Sequence, residues 1–281
     1  MNKVSVIMPC YNDGKYIGEA ISSVWAQTYK NIELIIIDDG SDDKDTKRLL
    51  HSISQDKRAR VFNVEHVGPA SARNFGIQNA TGEFILPLDS DDIIEPTYIE
   101  KAVDIIQKNK AVGAVYCQAR LFGEKEGMWD LPDFSLKHML IDNIVFVTAM
   151  FRKTDWERVG GFDISMDEGM EDYDFWISIL EIEKEIYQIP ETLFYYRIKK
   201  ESRTTKFLSD INKTKNIYEK IYHKHKQFYE KYAEEYAMAL REALIEQIYV
   251  RRKYEQRFEK FRLFKNIPFI RWIVKVIFKE I

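Results

Sequence analysis

Two carboxylates one residue apart, Asp89 and Asp91, close the apolar run Phe84-Ile85-Leu86-Pro87-Leu88, and Asp92 follows at once. A run of this kind reads as a buried strand. Its acidic end then falls at the edge of a sheet, where open α/β folds bind ligands. In extended backbone residues i and i+2 point the same way, so Asp89 and Asp91 are expected to face one side together. Like charges that close repel unless a cation or a hydrogen-bonded sugar offsets them. A hard divalent ion takes one or two carboxylates and completes its shell with phosphate oxygens and water. The corner could therefore hold a phosphorylated ligand through a hard divalent ion such as Mg²⁺; a solvated acidic turn capping the next helix would have the same composition. A second acidic group, Glu171-Asp172-Tyr173-Asp174, opens a helical stretch. A carboxylate there can take up a proton as a general base, or the acids can simply favour the positive end of a helix dipole.

Other positions fall at the same edge. The first strand runs into Pro9-Cys10-Tyr11-Asn12-Asp13. Proline cannot donate to a ladder, so the chain is expected to leave the sheet there. That puts Tyr11 where an aromatic face can stack a flat base or pack under a loop. The second strand ends in Asp38-Asp39-Gly40-Ser41, and a nucleotide fold often reads its ligand with an acid at that point. Ser41, Asp42 or Asp43 can also cap the following helix. Arg73, in Gly68-Pro69-Ala70-Ser71-Ala72-Arg73-Asn74, lies on a helix near this edge and can pair with phosphate or with the acidic turn. No Gly-x-Gly-x-x-Gly follows the first strand and no Walker A lysine is present, so phosphates must be held by other means.

The elements that position these residues alternate. Strands are expected over Val4–Met8, Ile32–Ile37, Val61–Val64 and Phe84–Leu88. Helices are expected over Tyr16–Ala26, Asp43–Ile53, Pro69–Asn79 and Pro96–Asn109. The βαβα rhythm argues for a mostly parallel sheet with helices on both faces. Beyond it, Ala114–Phe122 reads as a strand, residues 123–143 as a long loop or lid, and Ile144–Phe151 as a strand. Thr154 is placed to cap a short helix ending at Gly160-Gly161. Tyr173–Leu180 reads as a helix, then Glu185–Ile189 and Leu193–Ile198 as two strands. From about 206 the sequence is helical and rich in Tyr, Lys and Glu, which sets the expected domains at 1–205 and 206–281.

In that order and spacing, Val4-Ser5-Val6-Ile7-Met8-Pro9-Cys10-Tyr11-Asn12, Ile36-Ile37-Asp38-Asp39-Gly40-Ser41, Ala72-Arg73-Asn74-Phe75-Gly76-Ile77, Leu88-Asp89-Ser90-Asp91-Asp92, Gly160-Gly161-Phe162-Asp163 and Glu171-Asp172-Tyr173-Asp174-Phe175-Trp176 resemble the family 2 glycosyltransferases with the GT-A fold. The resemblance covers roughly residues 3–205. It implies an α/β fold with a mixed, mostly parallel sheet flanked by helices, followed by a C-terminal helical extension. It implies that Tyr11 stacks on uracil, that Pro9 adds a backbone contact and that Asp39 hydrogen-bonds the ring. Asp89 and Ser90 would face the sugar nucleotide, and Asp91 with Asp89 the Mn²⁺ or Mg²⁺. Asp172 would be the catalytic base, with Glu171 shaping the site or binding acceptor hydroxyls and Trp176 toward the acceptor, although Phe175 and Trp176 also suit a core. Arg73 would belong to the donor site. The segment from Tyr195-Tyr196-Arg197 to Ser202-Arg203-Thr204-Thr205 resembles one that closes over the diphosphate, through Arg197, Ser202 or Arg203; the family often has His where Arg197 stands. The implied reaction is inverting sugar transfer from a nucleotide-diphosphate donor, a UDP-sugar, to a hydroxyl of a glycan or lipid-linked acceptor in cell-surface polysaccharide assembly. A sugar nucleotidyltransferase would want a Gly-rich basic first loop instead. A non-catalytic nucleotide-sugar or glycan-binding scaffold would not need the acids.

Composition is that of an ordinary globular protein, at 45% apolar and 31% charged residues. Two cysteines, Cys10 and Cys117, make neither a zinc pattern nor a disulfide framework, which fits a reducing cytosol. The N-terminal residues run straight into a strand pattern, so no signal peptide is expected, and no apolar run is long enough for a membrane span. The net charge of −3 conceals an uneven distribution. Residues 1–205 hold 24 Lys+Arg against 35 Asp+Glu, while residues 251–281 hold 10 against 3. An acidic body makes a nucleic-acid partner unexpected. In the tail Ile270, Ile273, Val274, Ile277, Phe278 and Ile281 form an apolar stripe beside Arg271, Lys275 and Lys279, with Trp272 as an anchor. Such a helix lies on an anionic membrane, docks on the catalytic domain, or pairs with a second subunit. The expected location is the cytoplasm, peripheral on the membrane's cytoplasmic face.

Overall fold

A computed structural model gives the fold and describes residues 2–200, 207 and 209–262, with side chains through 256. Apolar runs form the expected strands: β1 (Val4–Cys10), β2 (Ile32–Asp39), β3 (Ala59–Val64) and β4 (Phe84–Pro87). They pair in parallel in the order β3-β2-β1-β4. Val6, Ile7, Ile35, Ile36, Ile85 and Leu86 are all fully buried, as strands covered on both faces must be. The connecting helices are α1 (Ile17–Trp25), α2 (Lys44–Ser54) and α3 (Pro69–Gln78). Asp43 caps α2 by accepting from the Thr46 N–H at 2.7 Å. Pro69 opens α3. At Gly76 that helix lies so close to the sheet that a Cβ would come within 2.6 Å of Ile7 and Ile37.

The sheet then turns mixed. β5 (Ile93–Ile94) precedes α4 (Tyr98–Lys108), and β6 (Val112–Gly123) carries the short partner β7 (Gly127–Met128). After α5 (Leu136–Met139), β8 (Met150–Arg152) runs antiparallel to both β4 and β6. Next come α6 (Lys153–Val159), α7 (Glu171–Glu181) and β9 (Glu185–Ile198), which is parallel to β6 and antiparallel to β5. The full order is β3-β2-β1-β4-β8-β6-β9-β5. Two helices, α8 (Ile211–Lys224) and α9 (Lys226–Lys231), complete a first compact unit, Met1–Lys231. The second unit, Tyr232–Ile281, holds the 30-residue helix α10 (Ala233–Arg262). Among the described residues no helix is long and apolar enough to cross a membrane.

Several local expectations are corrected. Pro9 stays in β1, paired with Ile37. Pairing with β4 has ended two residues earlier, at Ile7, so its missing N–H falls where no ladder needs it. Of 144–151 only the end is a strand; Ile144–Phe146 is buried but unpaired. Thr154 lies inside α6 rather than capping it. The two strands expected around Pro190 are one, β9, with its register against β6 shifted near Cys117. The boundary expected at 205 also moves, because α8 and α9 cluster with the first unit. The basic stripe of 270–281 lies outside the described residues.

Candidate active site

β4 delivers the acidic corner. The Leu88 N–H donates to the Ile7 carbonyl at 2.9 Å, and Ser90–Asp91 then forms a turn. The extended backbone expected through Asp91 is therefore not realised, and the carboxylates meet cations from different elements. Asp89 accepts from Arg73 Nη2 on α3 at 2.7 Å. Asp91 pairs at 2.7 Å with Nζ of Lys199, one residue past β9. Lys199 also pairs with Asp13 at 3.1 Å, and Ser90 Oγ donates to Asp13 at 2.9 Å. Asp92 accepts the Arg197 N–H at 2.8 Å, while Arg197 Nε donates to the Asp91 carbonyl at 2.7 Å. Burial raises the Asp91 carboxyl; Asp89 adds to this and Lys199 opposes it. Asp92 is pushed further up by burial and by both acidic neighbours.

The other guanidinium nitrogen of Arg73 reaches the helix that carries the expected base. Arg73 Nη1 donates to Glu171 Oε1 at 2.8 Å. One guanidinium thus joins the acid after β4 to the first turn of α7, and Arg73 and Glu171 are only 3% and 5% exposed. Burial alone would lower the Arg73 pKa, but its two carboxylate partners outweigh that and raise it. Asp172 follows, half-buried. Burial and then the Glu171 charge lift its carboxyl to about 7, against the pull of Arg73, the Tyr173 N–H at 2.9 Å and the Asn143 side chain. A carboxyl near neutrality is suited to accept a proton. Met170 starts the helix in left-handed backbone, φ 64°. Such a conformation in a non-glycine residue is strained and clusters at functional sites.

Other motifs hold the frame. Asn74, next to Arg73, accepts from the Phe162 N–H (2.9 Å) and Trp156 Nε1 (3.2 Å) and donates to the Phe162 carbonyl (2.7 Å). Gly161, at φ 84°, leaves room for that amide, since a Cβ there would lie 2.9 Å from Asn74 Oδ1. At the far end of the edge Tyr11, 42% exposed, stacks on His66 with centroids 4.2 Å apart. Asp39 accepts the N–H groups of Val67 (2.8 Å) and Gly68 (3.1 Å) and lies 3.0 Å from His66 Nδ1. Pro9 is half-buried just below.

The structure thus gathers Asp89, Ser90, Asp91, Arg73, Glu171 and Asp172 into one site, and places Tyr11 and Asp39 on the same sheet edge. It does not place Trp176 toward an acceptor. That residue is fully buried against Phe151 and Phe175, because its position on α7 faces the core. Glu171 is held by Arg73, which fits its reading as a residue that shapes the site. Arg197 is corrected too. Its guanidinium is spent on Asp91 and Glu19 and lies over the rings of Tyr16 and Phe122 at 4.6 and 4.2 Å. Ser202 and Arg203 lie outside the described residues. Lys199, Asp13, His66 and Asn143 went unforeseen. Alternation along a strand was the available signal for Lys199, since it shares a side with Arg197.

Among the described residues no group of three or more His, Cys, Asp or Glu side chains is placed to hold a metal ion. Asp13 and Asp91 do share one ammonium, which marks a place where positive charge is favoured. Two carboxylates completed by ligand phosphates suit Mg²⁺ or a similar hard ion, so the donor set fits an ion that arrives with a diphosphate.

The sequence model of glycosyl transferase family 2 matches residues 5–162. An uncharacterised glycosyltransferase of Rickettsia typhi is 34% identical over 75% of this chain and 68% of its own length. One from Rickettsia prowazekii is 33% identical over 76% and 70%. Among solved structures, S. aureus TarS 1–349 in complex with UDP superposes with a TM-score of 0.58 at 23% identity, over 70% of this chain and 61% of that one. Its complex with UDP-GlcNAc gives 0.60 at 21%, over 72% and 60%. These superpositions show a shared GT-A-like fold, and the sequence matches span the acidic corner after β4 that the geometry singles out. This chain belongs to glycosyl transferase family 2.

Proposed function

We propose that the protein is a metal-dependent, inverting glycosyltransferase that moves a hexosyl or N-acetylhexosaminyl group from a UDP-sugar to a hydroxyl of a glycan or lipid-linked acceptor. The observation that carries this reading is the Arg73 bridge. It holds the corner at Asp89 and the pair Glu171-Asp172 within one guanidinium of each other, so a donor phosphate and an attacking hydroxyl can meet. The complexes of TarS with UDP and UDP-GlcNAc support the donor class.

In this mechanism Tyr11 stacks the base, with His66 turning aside or covering its other face, and Asp39 receives a ring donor. Asp91, with Asp13 or Asp89, would hold Mn²⁺ or Mg²⁺; when bound, the ion neutralises charge on the departing diphosphate. Asp172, ionised, accepts the proton of the acceptor hydroxyl as its oxygen attacks the anomeric carbon. The new C–O bond forms as the bond to the diphosphate breaks, and UDP leaves with the electron pair. A single attack from the opposite face inverts the anomeric centre. Asn143 and the Tyr173 N–H orient the carboxylate. General-base assistance of this kind contributes ~10²–10⁴ in rate.

The cellular setting belongs to the same proposal: surface-polysaccharide assembly at the cytoplasmic face of a membrane. The basic apolar stripe of 270–281 supports contact with anionic lipid, and Leu244, Ile245 and Tyr249, exposed on α10, support contact with a second copy of the chain. Asp172→Asn should abolish transfer, measured by release of UDP with acceptor present, while UDP binding stays within about twofold. Asp91→Ala should remove Mn²⁺-dependent UDP binding. Loss of UDP binding in the first variant, or unchanged affinity in the second, would overturn the assignment.

A further inference from the structure

We propose that Lys199 is a resident counter-cation of the donor site, seated between Asp13 and Asp91 until a divalent ion enters and displaces it. The inference rests on the reading that Asp91 holds the metal.

Four carboxylates crowd this corner: Asp13, Asp89, Asp91 and Asp92. Among them they meet three donors. Asp92 is fully buried and takes a backbone N–H from Arg197. Asp89 takes Arg73, which is fixed in place by burial and by its second bond to Glu171. Asp13 and Asp91 take Lys199, at 3.1 and 2.7 Å. Of the two cations, only Lys199 is arranged to leave. Its side chain is 26% exposed, against 4% for Arg73. A lysine stem rotates freely, whereas the planar fork of an arginine is bound in two directions. The strand end that supplies Lys199 is itself pinned, because Arg197 donates to both Asp92 and the Asp91 carbonyl. The ammonium is therefore delivered to the acids by fixed backbone and can return to them.

A dication approaching this site alone meets two carboxylates whose charge is already half offset by the ammonium. A dication arriving with a diphosphate brings anionic oxygens that give the displaced lysine a new partner. Metal and nucleotide should then each bind weakly alone and tightly together, a reciprocal coupling set by one side chain.

The test is Mn²⁺ binding without nucleotide, read from the EPR signal of free Mn²⁺ at fixed pH and ionic strength. Removing one nearby positive charge should tighten Mn²⁺ binding about tenfold in Lys199→Met and Lys199→Gln, with Lys199→Arg like the parent. Adding Asp91→Asn to Lys199→Met should abolish the gain. The factor by which UDP tightens Mn²⁺ binding should shrink in Lys199→Met. Thermal melts confirm that each variant is folded. Equal Mn²⁺ affinity in the parent, Lys199→Met and Lys199→Gln, with Asp91→Ala still removing Mn²⁺-dependent UDP binding, would overturn the role of Lys199 and leave the metal site standing. If Asp91→Ala has no effect on Mn²⁺-dependent UDP binding, the site reading falls, and this inference with it.

Discussion

Asp172 is set near neutrality by burial and by the charge of Glu171, its neighbour in the chain. Its ionised form does the work proposed here, so kcat/KM should rise about tenfold per pH unit below roughly pH 7 and level off above it. A profile flat from pH 5 to 8 would remove Asp172 as the base. The same shift carries a stability cost. The folded pKa stands above the unfolded value of about 3.9, so the cost is absent below about pH 4, grows as pH rises and is complete above 7. Asp172→Asn should therefore melt higher than the parent, by more at pH 8 than at pH 5; an advantage independent of pH would refute this. Asp172 was legible in the sequence because Glu171-Asp172 stands in a motif of fixed spacing. Lys199 was not, because it reaches Asp13 and Asp91 only once β9 pairs with β5. Trp176 was misread for the complementary reason: motif membership says nothing about which way a helical side chain faces.

At the scale of elements, α7 is held from behind by an ionic knot. His225, between α8 and α9, lies 3.0 Å from both Asp174 and Glu181, and Lys224 bridges Asp163 and Asp174 at 2.7 and 2.8 Å. Burial opposes the charged form of His225, yet Asp174 and Glu181 prevail and its pKa is raised. Its contribution to stability is therefore full below about pH 6.5 and lost as pH rises through the folded pKa. His225→Ala should cost about 3 kcal/mol at pH 6, as removing one partner of a buried ion pair does, and less at pH 9. Chemical denaturation at the two values tests this, and an equal loss at both would count against the pairing. The alternating first half was readable because buried parallel strands and amphipathic helices each leave a period in the sequence. Residues 144–149 defeated that logic, since an apolar run can be buried without a strand to pair with. β9 concealed itself behind Pro190, which a register shift against β6 absorbs.

For the whole molecule, the first compact unit runs to Lys231, not to 205. A chain ending after Lys231 should fold and bind UDP, while one ending after 205 should not, because it loses α8, α9 and the His225 knot behind α7. Calorimetry with UDP and Mn²⁺ on both truncations decides this. Removing 266–281 should release the full chain from vesicles containing anionic lipid; if the full chain never binds such vesicles, the membrane assignment fails. The uneven charge was visible from composition, but the extent of the first unit was not, because it depends on which helices reach back to α7. The shared guanidinium of Arg73 has a consequence for anyone redesigning this catalyst. Tilting α7 to admit a bulkier acceptor drags Glu171, and through Arg73 it disturbs Asp89 on the nucleotide side, so acceptor and donor preference cannot be tuned separately along that route. Residues 123–143 offer the other route to new linkages, provided that Asn143, which meets Asp172, is left in place.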